Sequence, residues 1–209
     1  MIVNMDALEK APVQTDPFPH FCVTDFLSKE DVSKAIADYP KIDHGGLFTL
    51  DSVDASGYIA RIIKELQSPE MAAMVGAKLG IDLSGMSHMV TVRANARGKD
   101  GQIHTDATFK KATMLLYLNE GWEEKGGRLR ILRSGHDIED YVSEIPPLGG
   151  TLVGFLCTPN AWHGHLPHEG TRRYIMVNFV ADQSMLQREL MRHRFSAKLK
   201  KLKSALGLG

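Results

Sequence analysis

At 209 residues the chain is long enough for one well-buried domain, and its 43% apolar and 24% charged content is ordinary globular usage. The formal net charge is +0, so no global field favours nucleic acid or a membrane surface, although a local pocket can still bind a charged small molecule. Two cysteines, Cys22 and Cys157, are too few for a disulfide framework or a cysteine-rich zinc module.

The opening MIVNMDALEKAPVQTDPF has no basic region followed by an apolar one, as a signal peptide would, and no apolar run is long enough to span a bilayer. A cytoplasmic protein with no nucleic-acid or membrane partner is expected; no pattern encodes its oligomeric state. After the apolar-aromatic stretch FPHFCVTDFL, Ser28 reads as an N-cap with Asp31 three residues later. Val32, Ala35, Ile36 and Tyr39 then follow helical spacing. The segment 41–57 is rich in Gly, Asp and Ser and is expected as a loop over a pocket mouth. Ile59, Ile62, Ile63 and Leu66 mark a second helix; Met71, Met74, Val75 and Leu79 mark a third, its methionines reading as core filler.

From about residue 86 the pattern turns to β. HMVTVRAN, ATMLLYLN, GRLRILR, GTLVGFL and RYIMVNFV are short runs rich in β-branched and aromatic residues, punctuated by Gly, Pro, Asn and Asp. RLRIL alternates strictly, which predicts a strand with one wet face. The tail QSMLQRELMRHRFSAKLKKLKSALGLG reads as a helix with a basic, solvated face. The expected fold class is α+β, a β-sandwich or jelly roll with N-terminal helices packed on one sheet and a C-terminal helix. A single domain over 1–209 is expected, comprising a strand and helical part (1–85), a β core (86–182) and a basic helix (183–209).

QIHTD places His104 and Asp106 two residues apart, hence on one face of a strand. Alone this is weak, because a turn histidine beside a solvated aspartate gives the same string. NAWHGHLPHEGTRRY adds His163, His165, His168, Arg172 and Arg173. Two histidines and a carboxylate on one face of iron leave three positions open. An arginine fork suits the far carboxylate of a dicarboxylate cosubstrate.

With these parts in this order, residues 86–182 resemble the Fe(II)/2-oxoglutarate-dependent dioxygenases, specifically the bacterial type of the prolyl 4-hydroxylase-like branch. The resemblance rests on IHTD, LLYLN followed by W and GGRLRIL, PPLGGTLVGF, WHG and GTRRYIMVNF. PFPHFCVTDFLSKED is similar to the N-terminal strand and helix of bacterial members. The resemblance implies a double-stranded β-helix core, Fe(II), 2-oxoglutarate and O2, with ascorbate as a stimulant. It implies hydroxylation of an unactivated C–H while 2-oxoglutarate is decarboxylated to succinate, with proline one target among several.

In that branch a proline follows the distal histidine at +4 and a basic residue at +9 or +10. His163 has Pro167 and Arg172 at those offsets, whereas His165 has no proline at +4. The resemblance therefore implies His104, Asp106 and His163 as the catalytic metal ligands. His165 is left as a neighbour lining the entrance or as a residue bonded into its loop, and His168 is expected at the surface. Arg172 shares a strand face with Tyr174, Met176 and Asn178, while Arg173 shares one with the apolar Ile175, Val177 and Phe179. Arg172 is thus the cosubstrate anchor, with Arg173 the alternative. Arg93 joins it as cofactor-binding, or meets the substrate, or forms a salt bridge. Tyr117 reads as a core tyrosine rather than a cosubstrate donor. Trp122, Gly126 and Gly127 shape a turn. Asp106 favours hydroxylation, since halogenase relatives leave its position empty.

Two other readings compete. A zinc hydrolase also uses two histidines and a carboxylate, but gives Arg172 no role. A non-catalytic jelly-roll metal- or ligand-binding protein has no need to keep ligands and arginine together. Small-molecule and peptidyl substrates, including a free amino acid, a sugar unit or another metabolite, stay open.

Overall fold

The computed structural model describes residues 1–188, 190 and 191. Four α-helices lie in the first 79 residues, α1 (Met5–Lys10), α2 (Lys29–Ala37), α3 (Gly57–Leu66) and α4 (Pro69–Leu79), with a 3-10 turn at Leu50–Ser52. Local chemistry sets their ends. Ser28 Oγ accepts from the Asp31 amide and starts α2, as its spacing predicted. Ser68 caps α4 ahead of Pro69, and Gly80, at φ 70°, ends it in the left-handed region. The six-residue α1, begun by the Asn4 side chain, is too short to show a periodicity.

Among the described residues there are ten strands, the first three lying between the helices: β1 (Val13–Gln14), β2 (His20–Val23), β3 (Phe48–Thr49), β4 (Ser87–Ala96), β5 (Lys110–Tyr117), β6 (Leu129–Leu132), β7 (Tyr141–Ile145), β8 (Leu152–Leu156), β9 (His163–Gly164) and β10 (Gly170–Val180). They form a seven-stranded sheet in the order β1-β2-β8-β5-β10-β4-β3 and a three-stranded sheet in the order β7-β6-β9. All named strand pairs are antiparallel. Strands β1, β2 and β3 come from outside residues 86–182, so the N-terminal part also builds the large sheet.

Strand alternation divides the apolar residues between two cores. Val90 and Val92 of β4, Met114 and Leu116 of β5, and Ile175, Val177 and Phe179 of β10 pack with α3 and α4 in one cluster. Ile59, Ile62, Ile63 and Leu66 of α3 are all buried there, each contributing about 1.5–3 kcal/mol relative to exposure. The alternate residues Leu115 and Tyr117 of β5 and Tyr174 and Met176 of β10 meet Leu129 and Ile131 of the small sheet in a second cluster. Helices on one face of an antiparallel sheet give the expected α+β jelly-roll arrangement.

Two local expectations are corrected. The LRIL part of RLRIL has no wet face: all four residues of β6 are buried, because the side chains of Glu139, Tyr141 and Glu144 close over Arg130, while Arg128 stays half-buried. Arg130 is 5% exposed, lies 4.5 Å from the Tyr141 ring centroid and bonds to Glu139 and Glu144. The segment 41–57 is not simply a loop, since Phe48 and Thr49 pair with Val92 and Thr91 as an edge strand; Leu47 still lines the cavity described below. Residues 183–188, 190 and 191 are helical, and the rest of the expected C-terminal basic helix lies outside the described residues. Among the described residues no helix is long and apolar enough to cross a membrane.

Candidate active site

The small sheet and the loop before β5 bring His104 and His163 together. The two residues exchange backbone hydrogen bonds, each N–H donating to the other's carbonyl at 3.0 Å, and their ring centroids lie 4.3 Å apart. His163 is also fixed in β9 by pairing with Ile131. His104 Nδ1 lies 2.8 Å from the Gln102 carbonyl, and His163 Nδ1 lies 2.9 Å from that of Ala161. A protonated Nδ1 donating to each carbonyl leaves the Nε2 lone pair free for a metal. Candidate ligand atoms of His104, Asp106 and His163 all lie within 4.8 Å of one another, close enough to converge on one ion. Burial, with the neighbouring His104, pushes His163 down to about 4, so the imidazole is neutral at pH 7 and in its ligating form.

Both Asp106 oxygens are engaged. Lys110 Nζ donates to Oδ1 at 2.8 Å, and the Thr113 hydroxyl donates to Oδ2. Asn178 Nδ2 donates in turn to Thr113 Oγ1 at 2.8 Å, extending the chain across the large sheet. Burial pushes the Asp106 carboxyl up, but the Lys110 ammonium, His163 and the hydroxyl contact outweigh it and hold the group at about 2. Cys157 sits beside this network, 3.3 Å from Thr113 Oγ1, with its thiol pushed up to about 12 by burial and then by Asp106. It is therefore a neutral thiol and no thiolate ligand. Lys110 and Thr113 were not singled out in the sequence; the signal available was a lysine four residues beyond the H-x-D aspartate.

A cavity of about 320 Å³ opens from these residues, walled on its apolar side by Leu115, Leu129, Phe155 and Met176. Arg172 lies in its wall, 4% exposed. Its Nε donates to the Gly127 carbonyl at 2.7 Å, its Nη2 approaches Tyr117 Oη at 3.4 Å, and its guanidinium lies 5.3 Å from both the Tyr117 and Tyr174 rings. Burial pushes the Tyr117 hydroxyl up to about 12 despite Arg172, so it stays neutral and can donate. Tyr117 is thus fully buried, as a core tyrosine should be, and its hydroxyl still reaches the arginine. Arg173 is not among the cavity residues; its backbone N–H bonds to Asn119 Oδ1 at 2.7 Å.

Arg93 lines the same cavity, 5.8 Å from the Tyr174 ring, with Nη1 2.5 Å from Asp100 Oδ2. His165 lines it too, but is outside the three-residue cluster; its Nδ1 lies 2.8 Å from the Leu166 carbonyl. Burial and then Arg172 push His165 down to about 4, so it is neutral at pH 7. The surface placement of His168 is corrected: it is 7% exposed, 2.8 Å from Glu124 Oε2 and packed against Trp122, with ring centroids 4.5 Å apart and planes tilted by 54°. Trp122 Nε1 donates to the Gly126 carbonyl, so the tryptophan and His168 together hold the turn that presents Gly127 to Arg172.

The donor set fits a divalent ion with open positions, and a buried guanidinium in the same cavity fits the far end of a dicarboxylate. Residues 90–181 match the family described as the 2OG-Fe(II) oxygenase superfamily. No curated protein matches the chain. Similar solved structures include a prolyl-4-hydroxylase of Pseudomonas putida, 18% identical over 84% of this chain and 88% of that one, with a TM-score of 0.54. The viral collagen prolyl hydroxylase of Paramecium Bursaria Chlorella virus-1 is 16% identical over 77% and 94%, with a TM-score of 0.53. AviO1 of Streptomyces viridochromogenes Tue57 is 12% identical over 88% and 97%, with a TM-score of 0.54. At these identities the likeness is one of fold, and it extends to most of each chain.

Proposed function

We propose that the chain is a hydroxylase of the 2OG-Fe(II) oxygenase superfamily, the family that residues 90–181 match, with its iron held by His104, Asp106 and His163 and its 2-oxoglutarate anchored by Arg172. The observation that carries this reading is the convergence of the three ligand atoms within 4.8 Å at a cavity that also holds a buried guanidinium. Fe(II) with 2-oxoglutarate supplies the oxidation when bound: O2 is consumed, 2-oxoglutarate leaves as succinate and CO2, and one substrate C–H becomes C–OH.

The protein's own share is placement and electrostatics. The carbonyls of Gln102 and Ala161 fix the two imidazoles, and Lys110 with Thr113 keeps Asp106 ionised and aimed. Arg172 is pre-oriented by Gly127 and Tyr117, so its remaining donors meet a carboxylate without reorganisation. The carboxylate of Asp106 supports hydroxylation over halogenation, and the presence of Arg172 argues against a zinc hydrolase. Both a peptidyl and a small-molecule substrate suit the open cavity. Similar folds include a Trichoplax adhaerens prolyl hydroxylase in complex with a hypoxia inducible factor peptide fragment, and that supports the peptidyl option. Two free cysteines accord with a cytoplasmic location.

The test is direct. Under anaerobic conditions the Fe(II) protein should bind 2-oxoglutarate, and admission of O2 should release succinate. No binding and no succinate would reject the oxygenase reading.

A further inference from the structure

Arg93 is the cavity cation that the iron and cosubstrate reading leaves without an anionic ligand. It lies on β4 directly across from Tyr174, on the face opposite to the helix-packed Val92 and Ala94. Arg172, set against both Tyr117 and Tyr174, already provides a guanidinium for the single distal carboxylate of 2-oxoglutarate. Arg93 lines the same cavity, together with Leu47, Gly101 and His165, and lies 5.8 Å from the Tyr174 ring.

Its setting is that of a prepared anion receptor. Asp100 Oδ2 takes Nη1 at 2.5 Å, and Asp100 is itself fixed by the Arg97 amide at 2.9 Å and Arg97 Nη2 at 2.8 Å. The guanidinium is therefore held in one orientation, while its Nε is shielded and has no acceptor among the described residues. A buried N–H left without an acceptor is costly even where the guanidinium charge is paired, and an incoming acceptor removes that cost. Charge points the same way. Arg93, Lys110 and Arg172 face two carboxylates, Asp106 and Asp100, and Fe(II) with 2-oxoglutarate adds no net charge. A positive surplus remains, which an anionic substrate group neutralises and an uncharged peptide backbone does not.

We propose that Arg93 is a specificity-determining residue that binds a carboxylate of the substrate, so that the hydroxylated molecule is an amino acid or another small organic acid. This rests on the oxygenase reading above and narrows its substrate class. Binding is measured by calorimetry on the full chain loaded with Mn(II) and saturated with 2-oxoglutarate, which fills the Arg172 end. The probes are propionate and N-acetylglycine, each against its isosteric amide, propionamide or N-acetylglycinamide. The wild-type complex should bind each acid at least about tenfold more tightly than its amide, and Arg93→Gln should abolish that preference. Arg93→Lys should keep part of it, which separates lost recognition from a damaged fold. Equal binding of acid and amide by the wild type, or an unchanged preference in Arg93→Gln, overturns the proposal. A loss of 2-oxoglutarate affinity in Arg93→Gln overturns it too, assigning Arg93 to the cosubstrate. Failure of the oxygenase reading is distinguishable, because the wild-type Mn(II) protein would then not take up 2-oxoglutarate at all.

Discussion

Lys110 Nζ lies 2.8 Å from Asp106 Oδ1 with both side chains about nine-tenths shielded, at 10% and 9% exposure. The pair spans four residues outside any helix, so tertiary packing rather than helical spacing brings it together. Removing one partner of a shielded pair strands the other charge, which costs about 3–5 kcal/mol, whereas an exposed pair is worth about 0–1 kcal/mol. Lys110→Met should therefore lose about 3 kcal/mol in urea unfolding of the metal-free protein. Mn(II) should restore part of that loss, because the ion replaces the missing positive charge beside Asp106. A loss below about 1 kcal/mol, or one that Mn(II) leaves unchanged, would contradict this role for the lysine.

The two histidines of WHGH separate experimentally. His163 sits in the three-residue cluster, and His165 faces the cavity without joining it. His163→Ala should lower Fe(II)-dependent succinate formation by more than the roughly 10–100-fold that loss of an outer partner costs. His165→Ala should still bind Mn(II) with wild-type stoichiometry. If His165→Ala loses the metal while His163→Ala keeps it, the assignment of the distal ligand is reversed.

Arg172 and Arg173 make a paired test of strand alternation. Hydrogen bonds to charged groups are worth about 1.5–3 kcal/mol, so Arg172→Gln should raise the KM for 2-oxoglutarate by roughly 10–150-fold. Arg173 bonds through its backbone N–H to Asn119, outside the cavity, and Arg173→Gln should change that KM less than about twofold. A larger effect at Arg173 than at Arg172 would mean that the wrong face of β10 had been taken as the interior.

The contrast between these neighbours shows what the sequence could reveal. Ile175, Val177 and Phe179 declare the helix-facing side of β10 by period two, and Arg172, Tyr174 and Met176 then fall inward. The same rule misleads at Arg130, whose alternation with Leu129 and Ile131 looks like a wet face. YVSEI, with one core residue, gives little sign that β7 will cover that side. His163 rather than His165 followed from family spacing to Pro167 and Arg172, which no composition or periodicity supplies. The hold on Asp106 was illegible because Asn178 reaches Thr113 across 65 residues of sequence, a contact that only sheet pairing creates. His168 was misjudged for a similar reason, since the turn string PHEG does not reveal that Trp122 and Glu124 will enclose it.

Acid sensitivity tests the Arg93–Asp100–Arg97 cluster. Burial pushes the Asp100 carboxyl up, but the Arg97 side chain and amide and the Arg93 guanidinium outweigh it and hold the group well below the usual carboxylate range. The unfolded chain has the ordinary aspartate value of about 3.9. A group depressed on folding adds stability that is present above the unfolded value and lost as pH falls through the folded one. Asp100→Asn should therefore be less stable than wild type at pH 7, and its stability should fall less steeply from pH 4 to pH 2. Urea midpoints at pH 7, 5, 4, 3 and 2 for the two proteins measure the difference, and the other carboxylates cancel because both proteins share them. Parallel curves would show that Asp100 titrates alike in the folded and unfolded states, and that the cluster does not hold its charge.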